Sequence, residues 1–91
     1  MKMNEDFNLL DDVEAVLLQK APLVEFDSVS NEQIIMSPAF QHRILDALLD
    51  LLPSHREFTT GILENNSLLI PFTTKFVNFY RLKQSNNISN G

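Results

Sequence analysis

Residues 37–71, SPAFQHRILDALLDLLPSHREFTTGILENNSLLIP, carry the strongest helix signal in the chain, then a second start signal and a short apolar run. Ser37 followed by Pro38 is a good helix start. The serine hydroxyl accepts from a free amide of the first turn, and proline at the first helical position loses no bond. Phe40, Ile44, Leu48 and Leu51 recur at spacings of four, four and three, flanked by Leu45, Leu49 and Leu52. That is the apolar stripe of an amphipathic helix, and Pro53 ends it. Ser54 with Glu57 three residues on has capping-box spacing and opens a second helix burying Phe58, Ile62 and Leu63. Gly61 inside it costs about 1 kcal/mol relative to alanine. The rival reading is a hairpin turning at Asn65-Asn66. Leu68, Leu69 and Ile70 read as a short buried strand ended by Pro71.

Outward from this stretch, residues 23–26 and 33–36 are apolar runs separated by Asp27-Ser28-Val29-Ser30-Asn31, which is turn chemistry. They predict a β-hairpin running into the helix at Ser37. At the front, Asn4 caps an amphipathic helix with Phe7, Leu10, Val13 and Leu17 on one side and Pro22 beyond its end. After Pro71, residues 73–84 (TTKFVNFYRLKQ) fit a helix through Phe76, Phe79, Tyr80 and Lys83, and fit a strand by alternation. Residues 84–91 (QSNNISNG) are polar and aperiodic, a frayed tail. The expected fold is α+β: one domain over residues 1–83 with an N-terminal helix, a β-hairpin, a helix-turn-helix and a closing strand, winged-helix-like.

Ninety-one residues with 44% hydrophobic side chains suit one small globule. A chain of this size buries only about 60–65% of its unfolded surface, so a partner or a second copy can complete the core. With no cysteine there is no disulfide, thiolate nucleophile or cysteine zinc site. The start has no continuous apolar stretch of the signal-peptide kind, and no run approaches the roughly 20 residues that span a bilayer. The expected location is the cytoplasm. Residues 1–32 hold eight acids and two lysines, whereas residues 75–91 hold three cations and no acid, within a net charge of −5. Front and back can complement each other within one fold or between subunits. Three clustered cations are too few for strong duplex binding.

His42, Asp46 and Asp50 share a helical face at spacings of four. Such a ladder can hold a metal or move protons, but it lacks a third firm ligand and reads more simply as a solvated face. No glycine-bounded elbow surrounds Ser54, Thr59, Thr60 or Ser67. Two glycines are too few for a phosphate-cradling loop. The expectation is a protein that is no enzyme and carries neither metal nor cofactor.

The order hairpin, helix-turn-helix, then Ile62, Leu63, Glu64, Asn65, Asn66, Leu68, Leu69, Ile70 and Pro71, followed loosely by Asn78, Phe79 and Tyr80, resembles the PqqD-like peptide-recognition domains of ribosomal-peptide biosynthesis. The likeness is greatest to versions at the front of adenylating enzymes of the microcin-maturation type. The resemblance implies a winged-helix module that holds a leader peptide along a strand and beside a helix. The function expected is a protein- or peptide-binding module, contacting its partner through Val24, Phe26, Phe58, Ile62, Leu63, Phe76, Phe79 and Tyr80. The alternative is an acidic inhibitor or immunity-type protein covering a basic partner, with Asp11, Asp12, Glu14, Glu25, Asp27 and Glu32 as its steering surface. The aromatic density of residues 72–82 further predicts a contact surface there, most simply a homodimer interface.

Overall fold

The Ser37 hydroxyl accepts from the Phe40 amide at 3.2 Å, and from that cap α4 runs Pro38–Asp50. Its stripe of Phe40, Ile44, Ala47 and Leu48 is completely buried, and the remaining helices are laid around it. In this computed structural model the backbone is described for residues 2–90 and the side chains for residues 9–85. Phe7, assigned above to the first apolar stripe, lies outside the described side chains. The elements are α1 (Lys2–Lys20), α2 (Glu25–Ser28), α3 (Asn31–Ile35), α4, α5 (Arg56–Glu64), a 3-10 turn (Asn66–Leu68) and α6 (Leu69–Asn90).

This is an all-α protein, 82% helical, with no strand among the described residues. The α+β and winged-helix-like expectation is corrected at two places. The first is the hairpin, whose second arm is α3. Ser30 and Gln33 form a capping box: the Gln33 amide donates to the Ser30 hydroxyl at 3.2 Å and the Ser30 amide donates to the Gln33 side chain at 3.1 Å. Two first-turn amides are thereby satisfied locally, which favours helix over a sheet ladder. The first arm, residues 23–26, is too short to pair without that partner and closes into the single turn of α2. The second place is the closing strand. Asn65 accepts from both the amide and the hydroxyl of Ser67, at 3.2 and 2.7 Å, and so nucleates the 3-10 turn leading into α6. Pro71 falls in the first turn of α6, where a missing N–H is tolerated, so it starts a helix and does not end a strand.

Residues 73–83, compatible with either period, are helical, and α6 continues to Asn90 through the polar stretch read as a tail. Of residues 54–65, open to helix or hairpin arm, Arg56–Glu64 form α5, and its cap residue, His55, makes no side-chain capping bond. Ser54 and Glu57 therefore do not form the expected box.

Around α4 the core takes Leu9, Leu10, Val13 and Leu17 from α1, Ile34 from α3, Ile62 from α5, and Phe72, Phe76 and Val77 from α6. Rings join its two ends. Phe26 meets Phe40 at 5.9 Å and Tyr80 at 4.6 Å, and Phe76 meets Phe40 at 6.3 Å and Tyr80 at 6.1 Å. The aromatics of residues 72–82 thus find their cover inside the same chain. Phe76 and Val77 are fully buried, Phe79 and Tyr80 half-buried, and Leu82 alone of the large apolar groups is widely exposed.

Two arginines tie the short helices down. Arg43 of α4 donates to the carbonyls of Leu17, Ala21 and Pro22 at 3.1, 2.8 and 3.3 Å, and its guanidinium lies 3.4 Å from the Glu25 carboxylate. A cation at the last carbonyls of α1 meets both their unsatisfied lone pairs and the negative end of the helix dipole. Arg81 of α6 donates to Asn31 at 2.6 Å, to the Val29 carbonyl at 3.0 Å and to the Phe26 carbonyl, while lying 4.9 Å from the centre of the Phe26 ring. Lys83 then joins α6 to α1, 2.7 Å from Glu14 and 3.5 Å from Asp11. Its hydrogen bond to Glu14 raises its pKa above the ordinary lysine value. The contribution of that link is fully present at neutral pH and is lost only as pH climbs through the raised value.

Replacing Phe76 by alanine is expected to cost about 3–5 kcal/mol, the range for emptying a fully buried aromatic position. Leu82→Ala is expected to stay within about 0.5 kcal/mol. Urea unfolding of the two variants measures both, and equal losses would contradict the burial of Phe76. Arg81→Lys keeps the charge but loses the planar fork that serves three separate acceptors. A loss of about 1–3 kcal/mol is expected in the same assay.

Candidate functional site

A mainly apolar groove is built by α5, the 3-10 turn and the start of α6. The buried Thr59 hydroxyl donates back to the His55 carbonyl at 2.7 Å, which fixes the first turn of α5. The Asn65 turn then reverses the chain, so that α6 returns alongside α5. Phe58 and Phe72 face each other across the two elements with ring centres 6.1 Å apart. The groove between them has a volume of about 420 Å³. Ile62 and Phe72 form its floor, Phe58 and Gly61 its α5 wall, and Leu68 of the 3-10 turn with Pro71 of α6 the opposite wall, with Glu57 and Lys75 at its edges. Phe58 is 39% and Leu68 42% exposed, large apolar groups half open to water beside a buried floor.

Of the partner residues expected from the sequence, the structure brings Phe58 and Ile62 together in this groove. Leu63 is half-buried on α5. Phe26 and Phe76 are core, and Tyr80 packs against them through its ring contacts with both. Phe79 is half-buried beside Phe76, with the Lys83 ammonium 5.4 Å from its ring centre. Val24 is 60% exposed on the turn before α2, and the described residues form no sheet edge for it to border. Leu68, Pro71 and Gly61 fall outside the expected contacts, whereas Phe72 belongs to the stretch 72–82 expected to form a contact surface. The strand expectation for residues 68–70 hides the signal of Leu68 and Pro71. For Gly61 it was visible as a glycine in the middle of a helix.

A second, more polar cavity of about 660 Å³ lies at the α4–α5 junction, lined by Leu9 and residues 53–58. His55 sits there with its Nε2 2.7 Å from Asp12 Oδ2. The pair links the cap of α5 to α1, and the Ser54 hydroxyl makes no hydrogen bond to the imidazole among the described residues. His42 and Asp46 are exposed and Asp50 pairs with Lys20 at 2.9 Å, so the ladder of α4 does not converge. Asp50, accepting a hydrogen bond from Lys20, raises the lysine pKa. Burial, ahead of the nearby Glu14 and Asp27, raises that of Tyr80. The described residues hold no group of three or more His, Cys, Asp or Glu able to share a metal ion. None of their helices is long and apolar enough to cross a membrane. Of the six acids expected to steer a basic partner, Asp11 and Glu14 pair with Lys83, Asp12 with His55 and Glu25 with Arg43.

Gly61 has ordinary helical backbone, with no positive φ, and a Cβ built there meets nothing within 4 Å. Gly61→Ala is therefore expected to stabilise the fold by about 0.5–1 kcal/mol, chiefly by narrowing the unfolded ensemble. A shift of the urea midpoint to lower concentration would show a crowding at Gly61 that the geometry does not contain. Comparison with protein-family models, with curated proteins and with solved structures finds no match for this chain.

Proposed function

We propose that this chain is a non-enzymatic protein-binding module that seats one amphipathic helix of a partner protein between α5 and α6. The observation that carries the reading is the groove itself: a buried apolar floor of Ile62 and Phe72 flanked by half-open Phe58 and Leu68. Two helices meeting at a tight turn leave a trough whose walls are ridges of side chains. A third helix fills such a trough with apolar residues at i, i+3 or i+4, and i+7. Uptake of an extended peptide at a sheet edge has no strand to use among the described residues. A precursor peptide would therefore have to bind as a helix. The acidic-inhibitor reading has less behind it, because four of its six acids are engaged within the chain, by Arg43, Lys83 and His55.

Selection from a display library of helix-forming peptides on the purified chain tests this. Enriched sequences are expected to share apolar residues at helical spacing, and to shift the amide resonances of Phe58, Ile62, Leu68 and Phe72. Phe58→Ala is expected to weaken them at least about tenfold, as removal of a half-open aromatic anchor does. Failure to enrich any periodic sequence, or enrichment indifferent to Phe58→Ala, would overturn the proposal.

A further inference from the structure

Gly61 is a glycine that the fold does not use. It sits in the interior of a nine-residue helix, where glycine costs about 1 kcal/mol relative to alanine. Nothing offsets that cost inside the chain: its φ is negative and no atom crowds the place where a Cβ would stand. Glycine without a conformational reason commonly marks the close approach of another backbone or ligand. Gly61 stands on the wall of the groove, so whatever approaches it lies in the groove.

The charges beside it describe that visitor. Glu57, Gly61 and Glu64 follow at spacings of four and three, one stripe of α5, with the two carboxylates about 10 Å apart along the axis at 1.5 Å per residue. Both glutamates are exposed, and neither has a hydrogen-bond or ion-pair partner among the described residues. The α5 wall thus presents a gap between two carboxylates without an ion-pair partner among the described residues, with Lys75 on α6 the groove's own cation, on a chain whose net charge is −5.

We infer that the helix seated in the groove is basic and crosses α5 at Gly61, with a small residue at the crossing and a lysine or arginine on either side reaching Glu57 and Glu64. This rests on the groove reading above and adds to it the partner's charge and the point of contact. A second copy of this chain does not fit. Two α5 helices paired about a two-fold axis at Gly61 would set Glu57 of one against Glu64 of the other, like charges face to face. The occupant is a different chain, and it is cationic on the flank that meets α5.

Three synthetic helical peptides decide the matter, sharing one apolar stripe chosen by the library selection and carrying Lys, Gln or Glu on the flanks. Binding is read by fluorescence anisotropy at low and high salt. The Lys-flanked peptide is expected to bind about tenfold tighter than the Gln-flanked one at low salt, and the gap should narrow as salt screens the rim. The double variant Glu57→Gln, Glu64→Gln is expected to abolish the preference while leaving urea stability unchanged. Gly61→Ala is the sharper probe, because it is expected to strengthen the fold and at the same time weaken every peptide about tenfold. Equal affinity for the three flanks would overturn the charge assignment, and undiminished binding by Gly61→Ala would overturn the crossing point. In both cases a loss of binding in Phe58→Ala would keep the groove reading standing. Loss of that Phe58 dependence would instead remove the groove reading itself.

Discussion

Six α-helices among the described residues leave many carbonyls at helix ends without an intrahelical partner, and the fold depends on meeting them. Each helix end exposes up to four such groups. Burying them unpaired costs about 1–3 kcal/mol apiece. Side-chain caps serve the starts of α3 and α4, but oxygens that accept bonds cannot serve the other ends. Those fall to arginine. Arg43 takes three carbonyls at the end of α1, and Arg81 takes two more where α2 gives way to α3. The guanidinium suits this work because its donors point in fixed, divergent directions and its charge is never lost. A cation with most of its donors satisfied by neutral oxygens also keeps its charge inside the molecule, where it balances the acidic front half.

The anchors and the core reinforce each other. Arg81 can reach the Phe26 and Val29 carbonyls only because Tyr80 and Phe76, its neighbours on α6, are held by Phe26 and Phe40. Phe26 belongs to a helix of only four residues, far too short to persist alone. Its ring, its carbonyl and the face beneath the guanidinium are all used at once. Tertiary contact, not intrinsic propensity, makes α2 a helix. The α5–α6 groove is the contrasting region, where two walls meet over a floor and no third helix lines it among the described residues.

That contrast also explains what could be read from the sequence. The stripe of α4 was legible because Phe40, Ile44 and Leu48 repeat strictly and Ser37-Pro38 marks the start. The helix of α1 was legible for the same reason. The two errors share a cause: short apolar runs have no period long enough to tell strand from helix, so the decision rested on punctuation. Ser30 has the composition of a turn and Gln33 that of a strand's first residue, yet together they form a capping box, and Pro71 opens a helix where a strand's end is expected. Expecting open aromatics in residues 72–82 followed from not knowing that α2 and α3 fold over that side. Of the groove, Phe58 and Ile62 could be found by helical spacing. The opposite wall could not, since Leu68 and Pro71 reach it only through the Asn65 turn.

The links that α6 makes to the front of the chain set an order of events during synthesis. Lys83 meets Glu14 across 69 residues of sequence, and Arg81 meets Phe26 across 55. Chains leave the ribosome front first at about 5–20 residues per second. The apolar faces of α1 and α4 are therefore made seconds before Phe76 and Val77 exist to cover them. The nascent chain must carry an open hydrophobic surface through that interval, shielded only by its own acidic residues and by whatever holds emerging chains. Completion of this core is an event of α6.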